Sequence, residues 1–355
     1  MDISIEVQIV DALKIKAEVL VLKYAQELHG IDSMAYFQLA TTQKDIERKL
    51  PKPNEFLMLE TRGSLGANHV LYCGVVDILK FRYKQIRDFS FRTLKYLSEV
   101  NPDIEHICFT LHGANYGLDE AEAFRSEIAG LVDAIEKGAF PRNLKRISIV
   151  ENYEPRAKRL EKILANSVSD GVIRVLTEEH RDQEYLARKS NEPYRDYVAR
   201  RSDTVDPLSE AGVTSESKPL IFVAMPFDKK MDDIFHYGIQ NAVNKAGFLC
   251  ERVDLVSFTG DILDTIKRRI REASLLIADL TASNPNVYLE VGYAWGVGIP
   301  TVLIAQDVQE LKFDVKSQKC IIYSGIRELE EKLSQELIGL KQNKHHGKPP
   351  QTIPY

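Results

Sequence analysis

The chain has 355 residues, 44% of them hydrophobic and 28% charged, an ordinary globular balance long enough for two domains with separate cores. Its formal net charge of −5 excludes a general nucleic-acid binder, whose electrostatic footprint is basic. Cys73, Cys108, Cys250 and Cys320 lie in or beside apolar runs without metal-ligand spacing, no run is apolar enough for a signal peptide or a bilayer span, and the expectation is a cytoplasmic protein with reduced cysteines and no metal site.

In chain order, Ile3–Val10 alternates apolar and polar residues, and Ala17–Leu22 reads as a buried strand. Glu55–Glu60 and His69–Val76 form a strand pair around the turn Arg62–Asn68, and Phe81–Val100 is a long amphipathic helix. Ile104–Leu111 is another buried strand, followed at once by His112-Gly113-Ala114-Asn115-Tyr116-Gly117-Leu118-Asp119. The pattern is then helical from Asp119 to Lys137, strand-like over Arg146–Glu151 and helical again over Glu154–Asn166. Strands alternating with helices predict an α/β domain over residues 1–168 with a largely parallel core. Gly113 and Gly117, with Asn115 between them, follow a strand and precede a helix. They fit either an ordinary turn or a backbone approach to a phosphate at the helix start.

Lys16–Leu22, Tyr72–Val75 and the segment His112–Phe124 resemble the macro domain, and in particular the macro-like N-terminal module of leucyl aminopeptidases. The resemblance implies a module that binds ADP-ribose or a related nucleotide signal, with a protein partner or a scaffold role as the alternatives.

Residues 169–217 read as a connector: a short strand-like Val172–Leu176, a mixed-charge stretch over Glu178–Arg201, and a Gly, Ser, Glu and Thr segment, Ser209–Ser217, expected to be mobile because it offers little to bury. The second domain, 218–340, starts with the strand Leu220–Ala224, turns out at Met225-Pro226-Phe227, and continues into a helix over Met231–Ala246 ended by Gly247. Phe248–Val253 is its second strand, with Arg252 and Asp254 at the carboxyl end, and Asp261–Ala273 its next helix. Leu275–Asp279 is a continuous apolar strand ending in an acid. Asn284 or Asn286 then caps a helix that has Pro285 in its first turn. Thr301–Ile304, Cys320–Tyr323 and the helix Ile326–Leu337 complete five parallel strands in a flavodoxin-like sheet, before a polar tail at 341–355.

Within the helix Asn286–Trp295, Val287, Val291 and Ala294 form an apolar stripe, and Asn286, Glu290 and Tyr293 share an adjoining face. Open α/β sheets bind ligands at the carboxyl ends of their strands, so Met225, Pro226, Phe227, Arg252, Asp254, Asp279 and Glu290 converge on one edge. An aromatic wall, a phosphate-binding Arg252 and two carboxylates would suit a nucleoside or dinucleotide, whereas Arg252 paired with Asp254 would be a plain surface ion pair.

Ile221–Phe227, Asp279-Leu280-Thr281 and Asn284–Ala294 together resemble the nucleoside 2-deoxyribosyltransferase-like family, a relative of TIR domains, over about residues 219–323. The resemblance implies that Glu290 attacks or stabilises the ribosyl anomeric carbon, that Asp279 holds ribose hydroxyls, and that Tyr293 supports Glu290. It further implies that Asn284 and Asn286 border the substrate and that a neighbouring subunit in a homo-oligomer completes the site. The expected activity is cleavage of an N-glycosidic bond, by hydrolysis or transfer, with NAD the favoured substrate and no other cofactor, in an antiphage effector controlled by its first domain. The alternative is a non-catalytic nucleotide sensor that signals through assembly.

Overall fold

The computed structural model describes residues 3–43, 46, 49–167, 173–176, 207–253 and 262–345. Two compact units divide the chain, Met1–Tyr116 with Glu120–Glu216, and Gly117–Asp119 with Ser217–Tyr355.

The first unit is built on β1 (Ile3–Ile9), β2 (Val19–Tyr24), α1 (Gly30–Ala40), β3 (Phe56–Glu60), β4 (His69–Gly74), α2 (Tyr83–Val100), β5 (His106–Thr110), α3 (Glu120–Glu136), β6 (Arg146–Glu151), α4 (Glu154–Ser167) and β7 (Ile173–Leu176). Its seven-stranded sheet has the order β3-β4-β2-β5-β6-β1-β7 and is parallel except for β3, which runs antiparallel to β4. The strand pair expected around residues 62–68 therefore forms, and the continuous apolar run of β2 is explained by its central place between β4 and β5.

Helix α1 is not visible in the sequence pattern. It buries Asp32, Ala35 and Leu39 and leaves Met34 and Phe37 exposed, so its apolar residues do not trace a core-facing stripe.

The expectation of a mobile Ser209–Ser217 is corrected by the structure. Pro207–Glu210 forms a helical turn, Ser215–Ser217 a 3₁₀ turn, and Leu208, Ala211 and Ser215 are buried. What a composition argument overlooks is a docking partner. The guanidinium of Arg87 on α2 forks onto Asp133 of α3 at 2.7 and 2.9 Å and donates to the carbonyls of Leu208, Ser209 and Ala211. Ser215 Oγ donates to Glu122 at 2.5 Å and accepts from the Gly212 N–H at 2.8 Å.

The second unit runs through β8 (Leu220–Ala224), a π-helical stretch Ile234–Gln240, α5 (Asn241–Lys245), β9 (Leu249–Glu251), α6 (Ile262–Glu272), β10 (Leu275–Asp279), α7 (Pro285–Gly296), β11 (Thr301–Ala305), β12 (Cys320–Ile322) and α8 (Ile326–His345). The sheet order is β12-β11-β10-β8-β9, with every pair parallel. Counted in sequence this is 2-1-3-4-5, the flavodoxin-like order expected. The helix expected over Met231–Ala246 is instead a short 3₁₀ turn, the π stretch and α5, and the final helix extends past Leu337 to His345. Gly247 closes α5 with φ +79°, the left-handed geometry for which glycine carries no Cβ penalty.

After β8 the chain moves to β9 on one side, and after β10 it moves to β11 on the other. The β8/β10 boundary is therefore the topological switch point, where the carboxyl ends of the strands open a crevice. Ala278 pairs with Ala224, which sets Asp279 level with Met225 at that edge.

Candidate functional site

Strand β10 ends in Asp279 because every residue from Leu275 to Asp279 is buried, so the acid is carried into the interior by its own strand. It is 0% exposed, yet both carboxylate oxygens are satisfied. Oδ1 accepts from the Thr281 N–H at 3.0 Å and the Thr281 hydroxyl at 2.5 Å, and Oδ2 accepts from the buried Tyr323 hydroxyl at 2.7 Å. Burial pushes its pKa above the usual carboxylate value, and the bonds from Thr281 and Tyr323 oppose that shift. The group thus fixes the β10–α7 turn from inside, with its oxygens turned to the protein.

Asn284 caps α7, its side-chain oxygen accepting from the Asn286 N–H at 3.0 Å, and Pro285 occupies the first turn as the sequence predicts. Val287, Val291 and Ala294 are buried, which sets the helix rotation expected from the apolar stripe. That rotation leaves Asn286 exposed and Glu290 half-buried. Glu290 has neither a hydrogen bond nor an ion pair among the described residues, and burial pushes its pKa up to about 7. Tyr293, one turn on, is held by Arg271 of α6, whose Nη1 donates to the phenol oxygen and whose guanidinium carbon lies 6.0 Å from the ring centre.

At the end of β8, Met225 is buried, Pro226 half-buried and Phe227 exposed. Arg252, after β9, lies over the Phe235 ring at 4.1 Å and 5.9 Å from the Phe227 ring centre, with its Nη1 3.5 Å from Met225 Sδ and its Nη2 3.7 Å from Asp232. Asp232 is thus one ionic partner of Arg252, while Asp254 lies outside the described residues. Met225, Phe227 and Arg252 are brought together at this edge, which gives an aromatic and cationic wall.

Between β5 and α3, Gly113 lies at φ +85° and Gly117, which the unit division assigns to the second unit, at φ +91°, values that favour glycine, and Asn115 is exposed. The first turn of α3 carries Glu120 and Glu122. Glu120 pairs with Arg156 and Arg159 at 3.0 and 2.7 Å.

Sequence reasoning missed a buried polar group at the carboxyl end of β2. Lys23 Nζ lies 2.5 Å from Asp32 Oδ2, with side chains only 6% and 3% exposed, and 5.3 Å from the Tyr116 ring centre. The Tyr72 hydroxyl donates to the Asp32 carbonyl at 3.0 Å, and His29 meets Tyr116 edge-on. Asp32 Oδ1 and the Nε2 of nearby His112 are buried without a hydrogen-bond partner among the described residues. Burial, then the Lys23 charge, pushes His112 well below the usual histidine value. The available signal was a lysine near the end of an otherwise apolar run, Val19–Leu22, and an aspartate following Ile31 at the start of a helix.

The two sheets define an α/β protein whose second unit carries, on the helix that follows β10 at a flavodoxin-like switch point, a half-buried carboxylate that is unpaired among the described residues. No family model and no curated protein matches the chain. Among solved structures it is similar to macrodomains from Oceanobacillus iheyensis. One with MES bound is 13% identical over 45% of this chain and 88% of that one, at a TM-score of 0.33. A complex with ADP is likewise 13% identical, covering 45% and 89% at 0.33, and a point mutant with ADPR is 13% identical, covering 46% and 91% at 0.32. Among the described residues no helix is long and apolar enough to cross a membrane, and no group of His, Cys, Asp and Glu is placed to hold a metal ion.

Proposed function

We propose that the second unit cleaves the N-glycosidic bond of a nucleotide, with Glu290 as the catalytic carboxylate and NAD as the favoured substrate. The observation that carries the reading is Glu290 itself: half-buried on α7, the helix that follows β10 at the switch-point edge, without a partner among the described residues, and raised by burial to about 7. A sugar losing its base develops positive charge at the anomeric carbon, and a poorly solvated carboxylate stabilises that charge far better than one in water.

The second acid of the edge, Asp279, is committed to Thr281 and Tyr323, which leaves Glu290 as the free carboxylate of this edge among the described residues. A base that leaves without protonation asks for no second acid. In NAD the pyridinium nitrogen takes the electrons of the breaking C1′–N bond and departs as neutral nicotinamide. Water, or an acceptor group, then forms the new bond at C1′ and releases its proton. Arg252 with Phe227 supplies the positive and aromatic surface for the phosphates and a ring.

The test is chromatographic: purified protein is incubated with NAD and a panel of nucleosides and nucleotides beside Glu290→Gln. The expected result is release of free base by the native chain and a loss of at least about 100-fold in the variant, the scale on which a transition-state electrostatic contact acts. Because the ionised form does the work, kcat/KM should rise about tenfold per pH unit below about 7 and level off above it. A rate that falls as pH rises through 7 would make Glu290 an acid instead. Nucleotide binding without turnover, unchanged by Glu290→Gln, would replace the enzyme by a sensor.

A further inference from the structure

The turn joining β10 to α7 contains an anomaly: Ala282 and Ser283 both lie in the left-handed region, at φ +60° and +49°, although neither is glycine. Two consecutive residues of that kind persist only where surrounding contacts over-determine the backbone. Those contacts come from the segment after β11. The Ala282 N–H donates to Glu310 Oε2 at 2.7 Å, the Ser283 hydroxyl donates to the Glu310 carbonyl, and the Gln306 N–H donates to Thr281 Oγ1 at 3.2 Å. Two residues beyond Glu310, the Lys312 N–H donates to the Tyr288 hydroxyl at 3.1 Å, which ties the same segment to the first turn of α7. Glu310 therefore touches both strained residues, one through its side chain and one through its backbone.

We propose that Glu310 is the positioning residue of the Glu290 site, holding the left-handed Ala282–Ser283 turn so that α7 leaves the sheet edge at the angle that keeps the Glu290 carboxylate half-buried. The catalytic form of this proposal rests on the glycosidase reading, while its structural form does not. Glu310 acts through the turn and the Asn284 cap, without reaching the substrate. The chemistry required is narrow. An acceptor must stand at the end of a side chain as long as glutamate, so glutamine, whose amide oxygen also accepts, substitutes for it, whereas alanine leaves the Ala282 N–H to water and keeps only the backbone contact to Ser283. Glycine at 282 and 283 removes the strain itself and so makes the clamp dispensable.

The experiment compares the native full-length chain with E310A, E310Q and E310A in an Ala282→Gly, Ser283→Gly background. Two readings are taken from each: kcat and KM for NAD, and the titration of the Glu290 carboxyl by ¹³C NMR with selectively labelled glutamate, assigned through Glu290→Gln. In E310A, kcat should fall about 10- to 100-fold with KM changed less than about threefold, as misplacement of a reacting group predicts. The Glu290 titration should move from about 7 toward the ordinary carboxylate value. E310Q and the glycine-relieved variant should return both readings to within about threefold and half a pH unit of the native chain. Should no nucleotide be turned over by the native chain, the glycosidase reading fails and the titration alone decides the positioning role. An unchanged Glu290 titration in E310A overturns the proposal, as does a failure of the glycine background to restore it. If E310A does not fold, the glycine background decides: native-like titration supports the clamp, and a displaced or absent fold overturns it.

Discussion

Glu127 shows most directly how burial sets chemistry in this chain. It is 0% exposed on α3, and burial raises it to about 8, against an opposing hydrogen bond from the His112 backbone. The folded state therefore holds a proton here that the unfolded chain gives up near pH 4.5. By linkage, stability is greatest below about pH 4.5, falls as pH rises to about 8, and is flat beyond; the loss is at most about 4 to 5 kcal/mol. Urea denaturation at pH 5, 6.5 and 8 should show this decline in the native protein and a markedly flatter profile in Glu127→Gln. An equally steep decline in the variant would assign the pH dependence to other groups. At the Lys23–Asp32 pair burial likewise raises the Asp32 carboxyl, and the adjacent Lys23 ammonium opposes that shift. Neither arrangement is written in local sequence: a glutamate on a helix reads as solvated until the packing of that helix is known.

At the scale of elements, contacts between helices are decided by glycines that hydrophobic periodicity does not register. A Cβ placed on Gly130 of α3 would lie 2.1 Å from the Arg87 carbonyl oxygen of α2, a backbone atom that cannot yield without moving the helix. On Gly238 of the π stretch it would lie 2.8 Å from the Leu329 Cδ2 of α8, the end of a side chain that can change rotamer. Gly130→Ala should therefore destabilise by about 3 kcal/mol or more and Gly238→Ala by about 1 kcal/mol, read as thermal or urea unfolding of each variant. Equal costs would mean that α2 and α3 can separate freely. The same close approach accompanies the change from the expected α-helix to a π stretch, since Ile234, Phe235 and Ile239 enter the core shared with Leu329, Leu333 and Leu337. The helix limits of α2, α3, α4 and α7, by contrast, agree with the sequence reading to within one or two residues, because caps and amphipathic faces are local properties.

At the scale of the whole molecule, the first unit takes in residues on both sides of the charged stretch expected as a connector. Strand β7 pairs with β1, and residues 207–216 are clasped by Arg87 and Glu122. Arg87→Ala removes the guanidinium hydrogen bonds at once and leaves Asp133 without its fork. Amide hydrogen exchange over 208–216 should accelerate at least about tenfold, with peptides of β8, β10 and β11 unchanged. Unchanged exchange over 208–216 would show that Leu208 and Ala211 hold the segment without the clasp.

The sequence by itself determined what local pattern can encode. The continuous apolar runs of β2, β8 and β10 required parallel strands covered on both faces, Asn284 with Pro285 fixed the start of α7, and the stripe of Val287, Val291 and Ala294 fixed which way Glu290 faces. Tertiary structure alone decided the partners. Asp279 meets Tyr323 from 44 residues away, Ala282 meets Glu310 from 28 away, Ser215 meets Glu122 from 93 away, and Lys23 meets Asp32 in the interior of the first unit. The physical reason is that periodicity reports which side of an element is dry, whereas the state of a buried polar group depends on which distant atom the fold sets against it.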